Sequence, residues 1–175
     1  MSSAAGSSSA RAVASRLMEM ADVIAEIDDW MFRSARKDGV SGSVGAHVRH
    51  VLDHVTALTE AREGVVDYDS RQRGTLVEHH RVIAITELQR VALRLFALPQ
   101  DAEQREVSLS AVITPDGARV GARSSVGREL VFVLSHTVHH QAIVALLLAS
   151  AGWRVPERFG IAPSTPSVQP CALSV

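Results

Sequence analysis

The chain carries one cysteine, Cys171, which excludes an internal disulfide and every zinc site built from several thiolates. Aromatic residues make up only 4% of the sequence, leaving few platforms on which exposed bases could stack. Neither sign of charge dominates, since 18 Lys and Arg face 19 Asp and Glu for a net charge of −1. Such a chain has no global basic field to attract nucleic acid. Its apolar runs fall short of the roughly 18 residues of a membrane span. The opening MSSAAGSSSA lacks the basic and apolar stretches of a signal peptide. The expectation is a cytoplasmic protein with no nucleic-acid partner and no membrane partner. A homodimer is compatible with all of this.

What is present suffices for one domain. The sequence has 175 residues, of which 46% are hydrophobic and 21% charged, an ordinary globular balance with enough chain for a core. After a Ser/Ala tail, Val13, Leu17, Met20, Ile24, Ile27 and Met31 recur at helical spacing and predict a first helix over 10–37. DGVSGS breaks it, and Ser43 is placed to cap a second helix running from Val44 to near Glu63. GVVDYDSRQRGT reads as a polar loop. A third helix follows from Leu76 to Leu98, turning Ile83, Leu88, Val91 and Leu95 inward.

The period then changes. VSLSAVI alternates or is β-branched, and PDG is a strong turn signal, so a small β-hairpin is expected between 105 and 125. A fourth helix, from Ser125 to Ser150, is the most hydrophobic segment. GWRVPERFGIAPSTPSVQP has four prolines and no helical period, so it reads as irregular, either packed on the body or loose. The expected fold is all-α, a four-helix bundle with a small β-hairpin between helices three and four. Its expected divisions are a tail over 1–10, the bundle over 11–152 and the irregular segment over 153–175.

Six of the eight histidines fall in two clusters, His47, His50 and His54 on helix two and His136, His139 and His140 on helix four. At about 100° per residue, His136 and His140 share a face one turn apart while His139 points away. Imidazoles at i and i+4 can grip one metal ion. Histidines on so apolar a helix need partners, and core hydrogen bonds are the simplest supply for one of them. Two clusters on two helices favour a shared metal. Val44, Val48, Val51, Val55 and Leu58 form the apolar stripe of helix two. His47 and His54 border that stripe and His50 lies further round, so the pattern alone favours His47 or His54. These two stand about 10 Å apart along the helix and cannot both bind one ion.

SVGAHVRHVLDH followed by SHTVHHQAIVALLLASAG resembles the DinB-like (YfiT-like) metal-binding bundles over roughly Ala10 to Trp153. That superfamily includes thiol-dependent S-transferases, a mycothiol-dependent maleylpyruvate isomerase and the N-terminal domain of ergothioneine-pathway sulfoxide synthases. The resemblance implies one ligand histidine a few residues after a small residue on helix two, here Gly45 leading to His50. It implies a HxxxH pair on helix four, here His136 and His140. HHQAI stands where the family often has an Arg-Gly-Gln run, and helix two carries two further histidines. His54 is therefore the alternative or additional ligand.

The metal implied is a divalent ion, zinc first, with nickel or iron also acceptable to imidazoles. A low-molecular-weight thiol is the implied co-reactant, on a small-molecule substrate. Glu129, seven residues before His136 on the same face, is the candidate catalytic carboxylate, either orienting a ligand or acting as a base. A plain helix-start glutamate is the equal alternative. In DYDSRQRG, Arg71 and Arg73 could hold a carboxylate or phosphate of a thiol cofactor or substrate, with Tyr68 donating a hydrogen bond. An exposed turn explains the same residues. His79 and His80 are expected in solvent, and Trp30 and Trp153 in packing. The function expected is a metal-dependent thiol transferase or isomerase, against a non-catalytic, metal-stabilised or small-molecule-binding bundle.

Overall fold

A computed structural model describes residues 7–34, 42–61, 63–70 and 74–166. Four long helices form the bundle: α1 (Ser8–Glu26), α3 (Val44–Thr59), α5 (Arg81–Phe96) and α6 (Val126–Ser150). Helix α1 packs on α5 and α6, and α3 packs on the same two helices from the other side. Leu17, Met20, Ile24, Val48, Val51, Leu88, Leu130, Val133 and Val144 are fully buried between them. The architecture is predominantly α with a small β element, as the periodicity predicts. Helix α6 has the length and composition of a membrane-crossing helix, although no uninterrupted apolar run in it is that long. Here one side of α6 packs on α1 and α3.

The bundle starts earlier than the sequence suggests. Helix α1 begins at Ser8, inside the segment expected as tail, because Ser7 is buried and its hydroxyl caps the helix at Ala10 N, 3.0 Å away. The single helix expected over 10–37 is broken. Ile27 is extended, and the Asp28 carboxylate accepts from Met31 N at 2.7 Å to start a separate short helix, α2 (Asp29–Arg33). An aspartate offers the backbone a cap that competes with continuing the helix. Residues 35–37 of that expectation lie outside the described residues.

The third helix is also split, into α4 (Leu76–His79) and α5, by an extended His80. Arg81 at the break donates to the Ile24 and Ala25 carbonyls and to Asp29. It thereby satisfies the last carbonyls of α1, where a cation is favoured. His79 and His80 are exposed. Trp30 is 65% exposed, which corrects its expected packing role: α2 turns it outward. Trp153 packs against the core.

The expected hairpin is present as β2 (Glu106–Val112) and β3 (Arg119–Ser125), antiparallel with Leu109 opposite Ala122. A third strand, β1 (Val65–Asp67), pairs parallel with β2 inside the segment expected as polar loop. Three residues carry too little pattern to declare a strand. What holds them is tertiary: Val66 is buried, and Asp67 accepts from Arg119 at 2.6 Å. Beyond α6 the irregular segment is anchored to the body around Phe159, while residues 163–166 are exposed. Phe159 is buried, and a Cβ on Gly160 would lie 2.6 Å from the Ala142 backbone.

Candidate metal centre

Local rules place both halves of the centre. The Ser43 hydroxyl accepts from Ala46 N at 3.1 Å and starts α3, fixing the phase of His47, His50 and His54. Ser125 caps α6 in the same way at Arg128 N, and from there His136 and His140 fall on one face. Gly45 lets α3 approach α4, since a Cβ there would overlap the Glu78 carbonyl oxygen and lie 2.8 Å from Phe32 Cε1.

Across the α3–α6 contact, one ring nitrogen each from His50, His136 and His140 lie within 4.8 Å of one another. His50 Nε2 and His136 Nε2 are 3.0 Å apart. His50 thus joins the α6 pair although it lies off the centre of the apolar stripe. The stripe faces the core, and the flank of α3 beside it faces α6. Nitrogens bound to one zinc ion at about 2.0–2.1 Å sit roughly 3.3 Å apart in a tetrahedral site, so this donor set fits a divalent ion. The three histidines could hold one.

Burial supports the ligand form. His140 is 8% exposed, and desolvation, followed by the neighbouring His136, His50, His47 and His139, pushes its pKa down to about 3. It is neutral at pH 7 and keeps a lone pair for a metal. The other histidines flank the group. His47 Nδ1 lies 3.0 Å from His140 Nδ1. His54 Nδ1 donates to the His50 carbonyl at 3.0 Å, and its ring stacks on His136 at 4.0 Å between centroids. His139 is exposed.

Glu129 is fully buried, on the triad's side of α6 but two turns before it. Its carboxylate accepts from Tyr68 Oη at 2.8 Å, Arg128 Nη1 at 2.7 Å and the Ser124 hydroxyl. Tyr68 follows β1, and its ring lies nearly parallel to His54 at 5.2 Å. Its hydroxyl is held protonated, with a pKa well above that of free tyrosine, by burial and then by the Glu129 carboxylate. The structure therefore connects Glu129 to the triad through a bonded tyrosine and stacked rings: Glu129, Tyr68, His54, His136. Arg71 and Arg73 lie outside the described residues.

Three further participants are not among the residues singled out from the sequence. Ser124 supplies a donor to Glu129 from the end of β3, Phe132 stacks on His136 at 5.8 Å, and Arg128 lies 5.6 Å over Phe132. Phe132, one turn before His136, carries a usable signal through helical phase. Ser124 carries none.

FK506-binding protein 5 of Rhizopus delemar is 31% identical over 120 residues, which is 68% of this chain and 30% of that protein. The chain thus spans less than a third of that relative's length. No solved structure matches. The model of the DinB family matches residues 1–160, and the chain belongs to the DinB family.

Proposed function

We propose that the chain is a metal-dependent enzyme of the thiol-dependent transferase or isomerase type, with zinc held by His50, His136 and His140. The observation that carries this reading is the convergence of three imidazole nitrogens from two helices within 4.8 Å. Three protein ligands leave coordination positions open, as catalytic sites require. When bound, the ion supplies a Lewis acid that lowers the pKa of a water or thiol at an open position. Zinc suits thiol chemistry because it is redox-inert and accepts thiolate, while nickel and iron also suit imidazoles. The thiol itself is inferred from the DinB-like resemblance, because that superfamily includes thiol-dependent S-transferases.

The chain's own residues divide the remaining work. His140, kept neutral by burial, presents a lone pair without first releasing a proton. Tyr68 and Glu129 brace the stacked His54 and His136 rings, which makes Glu129 a positioning residue in this reading. Arg71 and Arg73 are assigned to a carboxylate or phosphate on the thiol or the substrate. The setting proposed is the cytoplasm, with a soluble small-molecule substrate, no nucleic-acid or membrane partner, and a homodimer permitted.

One observation favours a second reading, a metal-stabilised or small-molecule-binding bundle without turnover. Both oxygens of Glu129 already accept hydrogen bonds, so it is not poised as a base at the triad. Turnover of model electrophiles with bacillithiol, mycothiol or glutathione, with and without metal, separates the two. Metal-dependent turnover with any of these thiols supports the enzyme. A metal-loaded protein that neither turns over nor gains thermal stability from any thiol selects the second reading.

A further inference from the structure

We propose that His47 is a positioning residue for His140, accepting a hydrogen bond from the His140 Nδ1–H and so turning His140 Nε2 toward the ion. The inference rests on the metal reading above. It starts from the 3.0 Å contact between His47 Nδ1 and His140 Nδ1, made across 93 positions of sequence.

His47 is not in the group whose nitrogens all lie within 4.8 Å of one another, so at this distance the two neutral imidazoles share a proton and not the ion, one ring donating and the other accepting. The direction has a chemical consequence. If His47 donated, His140 would keep a bare Nδ1 and carry its proton on Nε2, which would then be closed to a metal. If His140 donates, its Nε2 holds the lone pair. Only the second tautomer makes His140 a ligand through Nε2, with His47 fixing that tautomer from behind.

The surroundings hold His47 in place for the task. The ring planes of His47 and His140 are tilted by 34° with centroids 5.2 Å apart, and Ser43 fixes the start of the helix that carries His47. The preceding turn passes beside the ring, since a Cβ added to Gly42, at φ +98°, would lie 3.5 Å from His47 Nε2. A ligand histidine usually donates to a carboxylate or a carbonyl. A neutral imidazole in that place adds no negative charge behind the ligand, so more of the ion's positive charge remains at its open positions. One of the two further histidines that set this chain's α3 apart thereby gains a role other than direct ligation.

The test uses the full chain and measures zinc affinity by competition with a chromophoric chelator, together with the visible spectrum of the Co2+-loaded protein. His47→Ala is expected to weaken zinc by about 10- to 100-fold and to shift the cobalt bands while the far-UV circular dichroism stays unchanged. His47→Asn places an amide oxygen where Nδ1 stood and is expected to restore most of the affinity and the wild-type spectrum. Unchanged affinity and spectrum in His47→Ala would overturn the proposal. So would a loss that His47→Asn fails to repair, because the ring would then act by something other than acceptance at Nδ1. Ring 15N NMR of the zinc-loaded wild type checks the tautomers independently of any variant's folding. A proton on His140 Nδ1 and none on His47 Nδ1 is expected, and the reverse refutes the assignment. Wild-type protein that takes up no ion defeats the metal reading itself, a failure distinct from any difference among the variants.

Discussion

His136 Nε2 lies 3.0 Å from His50 Nε2, although 86 positions of sequence separate the two residues. Nitrogens held this close share either a proton or an ion. With His140 beside them in the same group, removing one ring removes a third of the donor set. His50→Ala and His136→Ala should each lower metal content, measured by elemental analysis, from one ion per chain to a small fraction of it. The loss in affinity should exceed the roughly 10- to 100-fold typical of a supporting residue. His139→Ala, at an exposed position, should keep full occupancy. Full occupancy in His50→Ala together with loss in His54→Ala would move the α3 ligand one turn along.

Acid should destabilise the metal-free protein through His140. Its folded pKa is depressed to about 3 from an ordinary value of 6.5, so between these values the unfolded chain binds more protons than the folded one. Stability from this group is present above about pH 6.5 and is lost as pH falls toward 3. The urea midpoint of the apo protein should therefore decline from pH 7 to pH 4. His140→Asn should flatten that decline, and an equally steep curve in the variant would assign the acid sensitivity elsewhere.

Tyr68→Phe isolates the Glu129 cluster from the metal. The phenol donates to a fully buried carboxylate at 2.8 Å, and hydrogen bonds to charged groups contribute about 1.5–3 kcal/mol. A stability loss of that order is expected in chemical denaturation, with zinc stoichiometry retained. In the wild type, burial and Glu129 keep the hydroxyl protonated, so phenolate absorbance should rise only as the protein unfolds in alkali. Loss of zinc from Tyr68→Phe would instead make the tyrosine essential to the triad.

Gly45→Ala should be costly for a purely steric reason. The added Cβ would overlap the Glu78 carbonyl oxygen and approach Phe32 Cε1 to 2.8 Å. Neither neighbour is the end of a flexible chain. Overpacking typically costs about 1–3 kcal/mol, and a backbone obstacle places this variant at the upper end. A thermal midpoint equal to that of the wild type would show that α3 and α4 can part without penalty.

Features written within a few residues are legible in the amino-acid order. The Ser43 cap, the β2–β3 hairpin and the extent of α6 each follow from a local residue choice, and the structure places them where the pattern does. The break at Asp28 and the strand at Val65–Asp67 are not legible there. A capping aspartate inside a helical stripe looks like any polar residue, and a three-residue strand exists only because β2 lies beside it.

The candidate centre divides the same way. Sequence alone determined that His136 and His140 share a face and that His139 leaves it, because helical phase is a local property. Sequence also put Glu129 on that side of α6 but could not choose between a carboxylate that orients a ligand or acts as a base and a plain helix-start glutamate. Tertiary structure decided that His50 is the α3 histidine in the converging group, since that depends on which flank of α3 packs against α6. It also decided that Glu129 meets Tyr68 and Ser124, brought by the ends of β1 and β3. Helix phase is set by neighbours a few residues away, whereas a meeting across 86 positions is set by packing, and only the assembled bundle contains it.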